Sequence, residues 1–173
     1  MEGYQKFLSN YTCLRQLREK YGASAFGRVC QLLFGLTLKE LGFEVRCQES
    51  GRPDLIAERR NENYTIEVKT STKFNVTVED EDKKGVVIPG NVAVLAILFY
   101  PSPEPKWNVV NLQAMPCGRK IPKASVYRWS IQPLETEANE FFPSTIKKYF
   151  EIAMRSVSEL RSALKSETES TEK

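Results

Sequence analysis

From Val92 to Tyr100 the chain reads Val-Ala-Val-Leu-Ala-Ile-Leu-Phe-Tyr, an uninterrupted apolar run preceded only by Asn91. It is far too short to span a bilayer, and a strand of this composition has to be buried on both faces. Such a strand belongs in the centre of a sheet covered on both sides. The segments around it alternate between helical and strand periodicity. The expected fold is therefore α/β, with a mixed central sheet flanked by helices.

Residues 4 to 21 carry Leu14, Leu17 and Tyr21 at helical spacing among Arg15, Arg18 and Lys20, which predicts an amphipathic helix ending at Gly22. A second, strongly buried helix is expected from Ser24 through Phe26, Val29, Cys30, Leu33, Phe34, Leu38 and Leu41 to Gly42. Phe43 to Cys47 alternates with period two, Glu49 to Pro53 reads as a loop, and Asp54 to Ala57 opens a second strand. The polar cluster Arg59 to Asn63 reads as a turn, and Tyr64 to Lys69 as a returning strand. The charge run Glu79 to Lys84 fits a solvated loop or a short helix. Trp107 to Leu112 is a further strand, followed by irregular chain as far as Gln132. Pro143 is suited to a first helical turn and is expected to begin the final helix, 143–165. The Ser-, Thr- and Glu-rich tail 166–173 is expected to be disordered, leaving one domain over residues 1–165.

The chain has 173 residues and no histidine. Imidazole is the usual general base and the commonest transition-metal ligand, so Ser-His-Asp triads, Cys-His pairs, Cys2His2 zinc sites and HExxH metalloprotease motifs are all excluded. Catalysis would have to use carboxylates, lysine or a metal held by oxygen. Cys13, Cys30, Cys47 and Cys117 form no CxxC pair and are expected to be reduced structural residues. The N-terminus lacks the charged and apolar regions of a signal peptide, and no segment resembles a membrane span, so a cytoplasmic location is expected.

One constellation carries chemistry. Arg52-Pro53-Asp54 and Glu67-Val68-Lys69 lie on what reads as a single hairpin. With its turn centred between Asn61 and Glu62, Asp54 would pair across from Lys69 and Ile56 from Glu67. Because side chains alternate along a strand, Asp54, Glu67 and Lys69 would share one face. Two carboxylates beside an ammonium suit a hard divalent cation such as Mg²⁺ and the hydrolysis of a phosphodiester. The plainer reading is a solvated strand edge with a weak cross-strand ion pair.

The pattern Pro53-Asp54, hairpin, Glu67-Val68-Lys69 resembles the PD-(D/E)XK nuclease superfamily. The order of elements over about residues 24 to 112 is similar to that of archaeal Holliday junction resolvases and type II restriction endonucleases. That resemblance implies a restriction endonuclease-like core and a metal-dependent DNA endonuclease of restriction or repair type. It implies that Asp54, Glu67 and the backbone carbonyl of Val68 hold Mg²⁺, for which Mn²⁺ may substitute, and that Lys69 assists the attacking water. Many members add a glutamate on the preceding helix. Here Gln31 takes that place, offering a carbonyl oxygen without charge, and the alternative is a catalytically degenerate DNA-binding or assembly module.

Arg52, Thr70, Ser71 and Lys73 flank the motif and are candidates for phosphate contact. From Lys106 to Arg128 five cations, Lys106, Arg119, Lys120, Lys123 and Arg128, occur without an acid. Arg119, Lys120 and Lys123 are candidate DNA contacts, and Trp107, Tyr127 and Trp129 either stack on bases or belong to the core. Finally, Ile146, Phe150, Ala153, Val157, Leu160 and Leu164 recur at spacings of four and three. That seam serves either a homodimer or docking on the protein's own sheet.

Overall fold

The computed structural model describes residues 2–102 and 105–166. Five strands form the main sheet in the order β1 (Glu44–Cys47), β2 (Leu55–Arg59), β3 (Glu62–Ser71), β5 (Val92–Phe99) and β6 (Trp107–Asn111). β3 and β5 run parallel and every other neighbouring pair is antiparallel. β5 lies inside the sheet and is buried from Ala93 onward, as its apolar run requires. A ribbon of β4 (Asn75–Thr77) and β7 (Lys120–Pro122) stands apart from this sheet.

The two faces of the sheet are covered differently. One packs Leu55, Ala57, Ile66, Val94, Ala96 and Leu98 against α1 (Glu2–Glu40), α3 (Leu134–Arg155) and α4 (Val157–Ser166). The other packs Leu95, Ile97, Phe99 and Val110 against Val76, Val78, Val86, Ile121 and Val126, contributed by the ribbon, the chain around α2 (Asp80–Lys83) and a 3-10 turn, Lys123–Trp129. The expected α/β architecture with a mixed sheet is therefore present, with its long helices gathered on one side. Among the described residues, no helix is long and apolar enough to cross a membrane.

Several boundaries differ from the sequence reading. The first two helices run through one another as α1, broken at Gly22, whose φ of 73° is open to glycine without a Cβ penalty. The last helix does not begin at Pro143. α3 starts at Leu134 and carries Pro143 inside it, because Leu134, Ala138 and Phe142 are all buried. Burying three apolar side chains outweighs the roughly 3 kcal/mol cost of an interior proline. The chain then breaks at Ser156 before α4. Ser166 closes α4, and the rest of the expected tail lies outside the described residues. The segment before Gln132 is not irregular throughout, since it holds β7 and the 3-10 turn.

The seam offered to a second copy is occupied within the chain. Ile146, Ala153, Leu160 and Leu164 are fully or almost fully buried, with Phe150 and Val157 packed beside them in the helical layer. Leu164 reaches Gly35 on α1 so closely that a Cβ there would lie 3.1 Å from its Cδ2. The stripe therefore docks on the chain's own helical layer, the second of the two roles its spacing allows, because spacings of four and three describe a buried stripe without identifying what covers it.

Candidate active site

β2 and β3 form the expected hairpin, with its register shifted by two residues and its centre one residue earlier. Arg59 pairs with Glu62 and Ile56 with Thr65, so the turn consists of Arg60 and Asn61, with Arg60 at φ 53°. An Arg59–Glu62 ion pair of 2.9 Å closes it. A slip of two residues changes opposing partners but preserves faces, since side chains alternate with period two. Leu55, Ala57, Ile66 and Val68 face the helices. Asp54, Glu67 and Lys69 accordingly share the opposite face, as the sequence implies.

On this face Glu67 is 8% exposed, and its Oε2 is buried without a hydrogen-bond partner among the described residues. Its Oε1 lies 3.7 Å from the Arg52 guanidinium. Burial, and after it the Asp54 carboxylate, pushes the Glu67 pKa up to about 7. Burial also raises the Asp54 carboxyl, opposed by the Val68 amide, which donates to Asp54 Oδ2 at 2.8 Å. Two carboxyls with raised pKa values, one on β3 and one just before β2, are a place where added positive charge is favoured.

The positive groups nearby are engaged elsewhere, by a residue outside the motif. Asp82 on α2 is buried and lies 2.7 Å from Lys69 Nζ and 3.1 Å from Arg52 Nη2. It also accepts the Glu79 backbone N–H at 2.8 Å. Burial alone would raise the Asp82 pKa, but the Glu79 amide and the Lys69 ammonium outweigh it and hold the carboxyl below its usual value. Arg52 donates in addition to the backbone carbonyl of Glu81. Gly85 beside it has a φ of 77°, a backbone conformation that favours glycine. The charge run is the short helix, one of its two expected forms, and it is largely exposed, but Asp82 alone turns inward to the site. Its sequence marks six polar positions alike, and only the docking of α2 over β3 selects Asp82.

Gln31 touches the Asp54 main chain. Its Nε2 donates to the backbone carbonyl of Asp54 at 3.4 Å and contacts Cys47 Sγ, while its carbonyl oxygen faces Arg28 at 3.4 Å. In this arrangement Gln31 braces the strand and turns its amide oxygen toward a cation. Arg28, which no motif singled out, adds positive potential at Asp54 from α1.

The remaining candidates separate. The Thr70 hydroxyl faces α1, with a Cβ on Gly27 falling 3.6 Å from it, on the other side of the strand from Glu67 and Lys69. Ser71 donates to the Asn75 carbonyl at 2.7 Å and accepts the Lys73 N–H, so its hydroxyl closes a turn. Lys73, Arg119 and Lys120 are exposed, and Lys123 donates to Ser102 Oγ at 3.3 Å. All four lie on or beside the β4–β7 ribbon. Trp107 belongs to the core, packed between Phe34 and Phe142 with ring centroids at 4.6 and 5.5 Å. Trp129 packs beside the second core, and Tyr127 is 68% exposed. None of the four cysteines forms a disulfide, and burial raises the Cys30 thiol strongly.

Among the described residues, no three His, Cys, Asp or Glu side chains are grouped to hold a metal ion. What the face offers is two carboxylates, one with an orphaned buried oxygen, next to the Val68 main chain. That donor set fits Mg²⁺, which keeps several waters and takes one or two carboxylates together with substrate phosphate oxygens.

No protein-family model matches the chain, and no curated protein does. Among solved structures, Hjc, a Holliday junction resolvase from the archaeal hyperthermophile Archaeoglobus fulgidus, is similar at 21% identity, with a TM-score of 0.45. The similarity covers 54% of this chain and 88% of the resolvase.

Proposed function

We propose that the protein is a metal-dependent nuclease that hydrolyses DNA phosphodiester bonds at Asp54, Glu67 and Lys69. The observation that supports this most is the incompletely compensated carboxyl pair. Glu67 is buried with an unpartnered oxygen beside Asp54, while the nearby cations Arg52 and Lys69 are drawn to Asp82. Arg52 makes a long ion pair with the other oxygen of Glu67 at 3.7 Å, and burial still pushes the carboxyl up to about 7.

Asp54, Glu67 and the Val68 carbonyl would hold Mg²⁺ or Mn²⁺, which when bound supplies Lewis-acid polarisation of the scissile phosphate. Asp54 is aimed by the Val68 amide, so its second oxygen remains available. Lys69, held by Asp82, orients the attacking water and offers donors to the charge that develops on the phosphoryl oxygens. Arg52 neutralises the adjoining phosphate. Asp82 touches neither water nor phosphate in this scheme and acts by positioning both cations.

The test is incubation of purified protein with plasmid, linear and four-way-junction DNA, with Mg²⁺, Mn²⁺ or EDTA in parallel. Cleavage that requires the metal and vanishes in Asp54→Asn and Glu67→Gln supports the proposal. Binding without cleavage under every metal overturns it in favour of a DNA-binding module with the same fold.

A further inference from the structure

Beyond the last residue of β3 the chain turns sharply through Thr72, Lys73 and Phe74 into β4. Phe74 has φ 52°, the left-handed region that a bulky aromatic adopts only at a cost. Its ring is nevertheless 49% exposed. Burial of the ring therefore does not repay the cost, and a turn needing positive φ would ordinarily take Gly, Asn or Asp.

The turn is held firmly around that residue. The Phe74 carbonyl accepts the Lys123 N–H at 2.9 Å, the Ser71 hydroxyl donates to the Asn75 carbonyl, and the Asn75 amide donates to the Lys73 carbonyl at 3.1 Å. The ring is thus displayed on a braced loop. Cations stand beside it: Lys123 Nζ lies over the ring, 5.8 Å from the Phe74 centroid, and Lys73 is adjacent in the chain. The strands and turn of the ribbon, residues 72–77 and 119–123, contain Lys73, Arg119, Lys120 and Lys123 and no acid. An exposed aromatic framed by cations presents a stacking surface to a base while its neighbours meet the phosphates on either side.

We infer that Phe74 stacks on an unpaired base of the DNA, so that the β4–β7 ribbon directs the protein to DNA containing single-stranded or unstacked nucleotides. Chain connectivity keeps the ring near the proposed chemistry. Phe74 follows Lys69 by five residues, a reach of at most about 17 Å, or roughly five base-pair steps. A fully paired duplex offers base edges in its grooves but no free base face except at its ends, so the ring would contribute little there. The inference rests on the DNA-binding half of the proposal above.

The experiment measures binding of the full chain, in EDTA, to a blunt duplex and to the same duplex carrying a single-stranded overhang. Phe74→Asn is the informative variant, because Asn accepts the left-handed conformation and keeps the turn. Wild type should favour the overhang DNA, and Phe74→Asn should reduce that preference about tenfold, near the value of one base stack, with blunt-duplex binding unchanged. In Phe74→Trp, the emission added relative to wild type should be quenched by the overhang DNA and not by the blunt duplex. Equal loss on both DNAs, or no loss, overturns the stacking assignment whether or not the wild type cuts. Failure of the wild type to bind either DNA removes the proposed function as well, and binding with a Phe74-dependent preference but no cleavage leaves the stacking role standing while the nuclease reading falls.

Discussion

Lys69 Nζ lies 2.7 Å from Asp82 Oδ2, so the acid that holds the motif lysine comes from outside the motif. The same carboxylate binds Arg52 through its other oxygen at 3.1 Å. One buried residue thereby sets the direction of both cations on the site face and leaves the Asp54–Glu67 pair short of positive charge.

Asp82→Asn keeps the size of the side chain and removes its charge. Cleavage should fall roughly tenfold to a hundredfold, as is usual when the partner of an active-site group is lost, and the loss should appear in kcat more than in KM. Stability should drop by about 1–3 kcal/mol as the buried network loses its charge-assisted bonds. Steady-state kinetics with urea unfolding of the same preparation checks both, and an unchanged kcat would remove Asp82 from the positioning of Lys69.

Glu67 predicts the pH dependence of the metal-free protein. Its pKa rises from 4.5 to about 7 on folding, so the folded state favours the neutral carboxyl. This contribution is complete below 4.5, declines as the pH rises, and is gone above 7. Its full size is up to about 3 kcal/mol. In EDTA, Glu67→Gln should therefore be more stable than wild type at pH 8 and close to it at pH 4. Mg²⁺ or Mn²⁺ should raise the Tm of wild type at pH 8 and leave Glu67→Gln unmoved, which thermal melts with and without metal would show.

Leu160 is completely buried in the helical layer, so Leu160→Glu should lower stability by about 3 kcal/mol or more. If the residue instead stabilised a dimer seam, sedimentation would show a wild-type dimer split by the mutation without loss of the monomer's unfolding free energy.

Lys120 and Lys123 belong to the acid-free ribbon. Replacing both with Ala should weaken DNA binding similarly across sequences and flatten the dependence of log K on log salt by about one unit per lost phosphate contact. Titrations at several salt concentrations measure the slope, and an unaltered slope would make these lysines solubilising charge.

Local pattern was sufficient wherever the deciding contact is near in sequence. The apolar run of β5 requires burial on both faces whatever surrounds it, and strand alternation places Asp54, Glu67 and Lys69 together even though the hairpin register is shifted by two residues. Contacts between distant segments decided the rest. Nothing in Glu79 to Lys84 distinguishes Asp82 from its neighbours until α2 docks over Lys69, because burial of a charge is a property of its position in the packed chain. Pro143 carries a real preference for a helix start, but the burial of Leu134, Ala138 and Phe142 overrides it. The spacing from Ile146 to Leu164 records an apolar stripe and not its partner, which turned out to be α1. Periodicity is written residue by residue along the chain, whereas the identity of a packing partner is settled by which distant surfaces exclude water together.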